Sequence, residues 1–144
     1  EPGKGPVFVG TFNAHALPLA AAKVTLPQLQ EGTAQNVLNE RTQNLRSHVE
    51  SKALELGLQF QLVGEGGHLH WYFTSDEIID YRSATATSAQ RYSAFNKALD
   101  ARGVLVMANP LSHHAISLAH DENMLSEVAE IFDEGLAAAA SVEA

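Results

Sequence analysis

Phe60-Gln61-Leu62-Val63-Gly64-Glu65-Gly66-Gly67-His68-Leu69-His70-Trp71-Tyr72-Phe73 places two alternating runs on either side of a glycine-rich turn, and it decides the fold class. Phe60 and Leu62 alternate with polar residues as in a half-buried strand, and Gly64 through Gly67 supply the turn. Side chains alternate along a strand, so Leu69, Trp71 and Phe73 share one face while His68, His70 and Tyr72 share the other. A β-hairpin with both faces partly covered follows.

Helical spacing flanks this hairpin. Upstream, Thr33 is an N-cap candidate, and Leu38, Leu45, Val49, Ala53 and Leu56 recur at helical period as far as Gly57, a good C′ residue. Earlier still, Leu17–Leu29 puts Leu19, Ala22, Val24, Leu26 and Leu29 on a broad apolar face. Pro27 predicts a kink or a break there, because proline removes a donor and crowds the preceding turn, and Gly32 ends the segment. Glu1–Pro6, with two glycines and two prolines, reads as an irregular lead-in from something upstream.

Downstream, Thr74–Tyr81 is less regular and Arg82–Ser88 reads as a polar, mobile loop. Ser88 caps a helix through Arg102, with Tyr92, Phe95 and Leu99 on one face and Gly103 at its end. Val104–Met107 suits a buried strand closed by Pro110, and Ala115–Leu118 a second short one. Asp121 caps a final helix with Leu125, Val128, Ile131, Phe132 and Leu136 inward, and the tail after Ala140 frays. The element order helix, helix, strand, strand, helix, strand, strand, helix predicts an α+β layer, with helices packed on a small, mostly antiparallel sheet.

Composition narrows the function classes. A chain of 144 residues suits one core, and 45% hydrophobic with 18% charged residues is the balance of a soluble globular protein. No stretch approaches the roughly 20 apolar residues of a membrane span. Without cysteine there is no disulfide, thiolate metal site or cysteine nucleophile, which fits a cytoplasmic setting. A net charge of −8 repels phosphate backbones, and the nine Lys and Arg residues are scattered, so nucleic acid is not expected as a partner. The chain shows no initiator Met and no secretory leader, so an upstream portion is expected to have been cut away.

Two segments carry a family resemblance. Gly5-Pro6-Val7-Phe8-Val9-Gly10-Thr11-Phe12-Asn13-Ala14-His15-Ala16-Leu17-Pro18-Leu19-Ala20-Ala21-Ala22 is similar to the Gly-Thr step, small residues and alanine-rich helix of class-III pyridoxal-phosphate-dependent aminotransferases. Arg102-Gly103-Val104-Leu105 through Ser117-Leu118-Ala119-His120-Asp121-Glu122 is similar to that family's "RGV" strand and its entry to the last helix. Between them the order of elements runs in parallel, so the resemblance, of the glutamate-1-semialdehyde aminomutase-like kind, covers nearly the whole chain. It implies the C-terminal small α+β domain of a fold-type I enzyme over 33–144, with 1–32 as a lead-in and interface or interdomain helix.

The resemblance further implies a homodimer whose large N-terminal domain holds the pyridoxal 5′-phosphate through a lysine and pairs its ring nitrogen with an aspartate. Neither residue is recognisable here. Lys4 stands at the wrong distance from the Gly-Thr step, and Lys23, Lys52 and Lys97 read as solvated charges on helices. Thr11 matches the residue that, in the family, contacts the cofactor phosphate of the neighbouring subunit. Glycine at Gly10 lets backbone approach an anion, and a hydroxyl with a backbone N–H supplies donors. Gly10 and Thr11 are therefore the expected cofactor-binding residues, and no catalytic or metal-binding residue is assigned.

Departures from the pattern matter as well. His15-Ala16 stands where the family has Asn-Pro. Ser112 falls at or near the place of a substrate-facing glutamate in the aminomutase, which argues for a related amine or amino acid as substrate.

Other constellations carry less. His68 and His70 share a strand face, but two histidines without a third ligand read as sheet-surface residues beside Tyr72. His113 and His114 point apart if extended, so joint ligation is not expected. Ser117, His120 and Asp121 assemble a triad on paper, without a nucleophile elbow. Asp76-Glu77 and Asp121-Glu122 read as solvated or helix-initiating acids.

The expected function is the C-terminal part of an aminotransferase or aminomutase, inactive without its lysine-bearing domain. The alternatives are a subunit of a split enzyme, or a non-enzymatic dimerisation or binding module derived from the family. An exposed apolar face on the Leu17–Leu29 helix would favour partner-dependent readings and self-association.

Overall fold

A computed structural model of the chain describes residues 10–143; the lead-in Glu1–Pro6, with Lys4, lies outside the described residues. The chain divides after Ala34 into two compact units.

The first unit is a turn followed by helix α1 (Ala16–Gln30). His15, in extended conformation, caps α1 by accepting the Leu17 N–H on its Nδ1 at 3.3 Å. Pro27 lies inside the helix without ending it, so of the expected kink or break the break does not occur. Near it, the Thr25 hydroxyl donates to the Ala21 carbonyl, and the Gln28 side-chain amide donates to the Val24 carbonyl, beside the Lys23 carbonyl that Pro27 cannot bond. Gly32, with φ 75°, closes the end, its N–H bonded to the Leu29 carbonyl. No residue of α1 is buried.

Helix α2 (Thr33–Glu55) starts at Thr33 itself, which is thus a first-turn residue and not the preceding cap. It buries Leu45, Val49 and Ala53 at the expected spacing. Its end is a Schellman turn: the Gly57 N–H bonds the Leu54 carbonyl, the Leu58 N–H bonds Ala53, and Gly57 sits at φ 68°.

The hairpin forms as expected, with β1 (Gln61–Val63) antiparallel to β2 (His68–Tyr72) and Leu62 opposite Trp71. Gly64 has φ 130°, and a Cβ there would lie 2.1 Å from the His68 carbonyl, so only glycine fits. The polar edge of α2 grips the turn. Asn39 accepts the Gly66 N–H at 2.7 Å, Thr42 donates to the Gly66 carbonyl, Arg46 donates to the Leu62 and Gly64 carbonyls, and Glu50 accepts the Leu62 N–H.

The segment read as a mobile loop is held instead. Asp80 and Ser83 form a capping box that starts the short helix α3 (Tyr81–Ala84). Thr87 accepts the Phe73 N–H at 2.9 Å, and the Ser88 N–H bonds the Phe73 carbonyl. Ser88 then caps α4 (Ala89–Ala101), which stops one residue short of the expected end, with Arg102 as its C-cap.

Val104–Met107 is not a strand. Val104 and Val106 are half-buried against the core while Leu105 and Met107 are exposed, so the alternation is real. The Val104 N–H bonds the Leu99 carbonyl at the end of α4, and at the far end Tyr92 Oη and Asn96 Nδ2 each donate to the Met107 carbonyl at 2.8 Å. The second expected strand shrinks to β3 (His114–Ala115), pairing antiparallel with β2 through Leu69 opposite His114. Asp121 caps α5 (Glu122–Ala140), accepting the Met124 N–H at 2.9 Å.

The core of the second unit joins Leu45 and Val49 of α2, Leu62, Leu69, Trp71 and Phe73 of the hairpin segment, Phe95 and Leu99 of α4, and Phe132 and Leu136 of α5. Phe95 is its hub, with ring centroids 5.1–5.6 Å from those of Phe132, Trp71 and Phe73. Helices α4 and α5 meet at Gly135, where a Cβ would come within 2.5 Å of Leu99 Cδ1 and 2.8 Å of Phe95 Cδ2. The result is the expected α+β class: a small antiparallel sheet in the order β1-β2-β3 with packed helices.

Candidate functional site

Gly10 and Thr11 open the turn that leads into α1. The Gly10 carbonyl accepts the Asn13 N–H at 3.1 Å and the Phe12 carbonyl accepts the His15 N–H at 3.2 Å, while Ala14 takes φ 58°. A Cβ on Gly10 would press on the Asn13 side chain at 3.3 Å. Thr11 is exposed. His15, which replaces the expected asparagine, supplies the cap itself, so the turn survives without the usual Asn-Pro pair.

None of the described lysines is a desolvated amine of the kind needed to hold a carbonyl cofactor covalently. Lys23 and Lys97 are exposed, and Lys52 pairs with Glu55 at 3.1 Å, which raises its pKa and keeps it protonated. Among the described residues, then, Gly10 and Thr11 offer a backbone amide and an exposed hydroxyl of the kind a phosphate accepts, and no lysine stands desolvated to hold a carbonyl cofactor.

Ser112 sits in the turn ahead of β3, half-buried, with its N–H on the Asn109 carbonyl at 3.1 Å. An open cleft lined by Tyr72, Ile79, Tyr81 and Leu111 adjoins this turn. Behind it lies a group the sequence did not reveal. His70, expected on the sheet surface, is only 5% exposed. Its Nε2 meets the Pro110 carbonyl at 2.8 Å and its Nδ1 meets Nδ1 of His114 at 3.3 Å. His114 stacks on Trp71 with ring centroids 4.1 Å apart, and its Nε2 accepts the Met107 N–H at 3.0 Å. The partners of His70 lie 40 and 44 residues along the chain, so no local pattern could have found them. Burial pushes the pKa of His70 down, and burial with the neighbouring His70 and His113 pushes His114 down to about 4. Tyr92 beside them is pushed up by burial.

The histidines do not assemble a metal centre: among the described residues no three His, Asp or Glu side chains converge on one point. His68 and His113 face each other at 5.6 Å between ring centroids, apart from the buried pair. The paper triad also fails. Ser117 Oγ lies 3.1 Å from Nδ1 of His120, but that nitrogen accepts the Ser117 N–H, and Asp121 is committed to capping α5. Among the described residues no helix is long and apolar enough to cross a membrane.

No family model matches the chain. Curated proteins do. Glutamate-1-semialdehyde 2,1-aminomutase of Desulfitobacterium hafniense is 28% identical over 119 residues, 82% of this chain and 28% of that protein. The protein of the same name from Hyperthermus butylicus is 29% identical over 127 residues, 88% of this chain and 30% of that one. The chain therefore spans under a third of the length of these relatives. Its fold matches an omega-transaminase from Sphaerobacter thermophilus with a TM-score of 0.72 at 20% identity, covering 93% of this chain and 30% of that one. A transaminase with PLP bound matches with a TM-score of 0.73 at 19% identity, covering 98% and 32% respectively. In sequence and in fold, then, this chain is similar to the C-terminal portion of the class-III pyridoxal-phosphate-dependent aminotransferases.

Proposed function

We propose that the chain is the C-terminal part of an aminotransferase or aminomutase that moves an amino group between an amino acid or amine and a carbonyl compound. The observation that carries this reading is the pairing of two coverages: 82–88% of this chain matches aminomutases of which it spans 28–30%. Pyridoxal phosphate, when bound to the complete enzyme, is the electron sink for such chemistry. Residues 33–144 serve as the small domain, which closes one side of the substrate pocket, and 1–32 as the interface and interdomain segment of a homo-oligomer in the cytoplasm. A neutral Ser112 in place of a substrate-facing acid favours a substrate other than glutamate-1-semialdehyde.

Thr11 and the Gly10 backbone hold the cofactor phosphate across the subunit interface. An exposed hydroxyl beside a glycine is suited to this, since it adds donors without a competing charge. The chain alone lacks the covalent anchor and is expected to show no turnover with pyridoxal phosphate, amino donor and keto acceptor. Robust turnover by the 144-residue chain would overturn the reading. In the complete enzyme, Thr11→Val is expected to weaken cofactor retention about tenfold, the worth of one hydrogen bond to a charged group, measured by dialysis and absorbance. Unchanged retention would remove Thr11 from the phosphate site while leaving the family relationship intact.

A further inference from the structure

We propose that His70 and His114 form a two-imidazole clasp that ties strand β2 to the Met107–Pro110 turn and opens when the pair takes up a proton. Four ring nitrogens are committed in series. The Met107 N–H can only donate, so Nε2 of His114 must be its unprotonated acceptor. The proton of a neutral His114 then sits on Nδ1 and donates to Nδ1 of His70, 3.3 Å away. His70 in turn carries its proton on Nε2 and donates to the Pro110 carbonyl at 2.8 Å. One proton per ring satisfies every bond, and the reverse direction would set an N–H on His114 against the Met107 N–H.

A third proton has two places to go, and both are occupied by a donor. On Nε2 of His114 it meets the Met107 amide; on Nδ1 of His70 it meets the His114 N–H. Either way one bond becomes a donor-to-donor clash inside a half-buried pocket. No carboxylate contributes to the electrostatics of either ring. The titratable groups facing the pair are His113 on its own segment, Tyr72 on β2, Tyr92 on α4, and His120 across an apolar cleft at the start of α5. Toward that cleft α2 turns Leu45, and α5 turns Leu125, Val128 and Phe132. Among the described residues, none that acts on either ring offers an imidazolium a counter-charge. The Tyr92 and Asn96 bonds to the Met107 carbonyl do not titrate in the acid range, so opening frees the Met107 amide while α4 keeps its hold on the turn.

The single tryptophan reports on the clasp directly, because His114 is stacked on Trp71 and an imidazolium in contact with an indole quenches its emission. Three measurements on the 144-residue chain test the proposal. At pH 7.5, nitrogen-15 NMR should find His114 protonated on Nδ1 and His70 on Nε2; the opposite tautomer of either ring overturns it. On acidification, Trp71 emission should fall with a midpoint well below the ordinary imidazole value of 6.5, toward about 4 for His114. The amide of Met107 should lose about tenfold in exchange protection across the same transition, after correction for the intrinsic rate. His114→Gln should abolish the emission change, whereas His68→Gln, at an exposed position, should leave it in place. An emission change that persists in His114→Gln, or Met107 protection that stays constant through the transition, overturns the clasp. The tautomers of the unaltered chain decide the matter if His114→Gln does not fold.

Discussion

Helices α1 and α5 are both alanine-rich, both capped by a side chain at their first turn, and both carry large aliphatic residues, yet α1 buries none of its residues and α5 buries six. In α5, Leu125, Ile131, Phe132, Leu136 and Ala139 fall along one stripe, and Gly135 lets that stripe come down onto α4. In α1, contrary to the single broad face expected, Leu17 and Val24 lie opposite Leu19 and Leu26, and all four are more than half exposed. Caps and propensity mark both segments as helices in the sequence, whereas burial requires an apolar stripe and a surface to receive it.

The largest loss of stability is expected at the hub of the second unit. Phe95→Ala removes the ring on which Trp71, Phe73 and Phe132 converge, and is expected to cost about 3–5 kcal/mol in chemical denaturation. Gly135→Ala overpacks the α4–α5 crossing and is expected to cost about 1–3 kcal/mol; a neutral outcome would mean that the two helices separate freely.

A pH series sharpens the contrast further, since the buried histidines belong to the second unit alone. Their pKa values are held down in the fold, so the unfolded chain takes up protons first as the pH falls. Stability is therefore full above about 6.5, the unfolded value, and is lost progressively down to about 4, which a denaturant midpoint measured at stepped pH will trace. Smallest of all should be Leu26→Ser on α1, expected to change stability by less than about 0.5 kcal/mol. A concentration-dependent loss larger than that would reveal a second copy covering α1 in solution.

Much of the architecture was legible because it is written locally. The hairpin announced itself through alternation around Gly64 to Gly67, α2 through its period and Gly57, and α4 and α5 through Ser88, Gly103 and Asp121. The misreadings share one cause. Val104–Met107 has the alternation of a strand, but a strand is made by its neighbours, and its bonds go to Leu99, Tyr92, Asn96 and His114 instead. Arg82–Ser88 looked free because its anchors, Thr87 and Ser88, bond to Phe73. His70 looked like a surface residue because alternation assigns a face without saying what lies over it.

By itself, then, the sequence determined the helices, the hairpin, the glycine-dependent turns and the family resemblance carried from Gly10-Thr11 to His120-Asp121, since each depends on residues a few positions apart or on motifs read in order. Tertiary structure alone decided that Gly135 is a helix crossing, that Arg46 and Glu50 grip the hairpin, and that His70 and His114 meet ring to ring. Those depend on atoms that meet only after the chain has folded, where a hydrogen bond or a missing Cβ is set by distance in space and leaves no periodic trace along the chain.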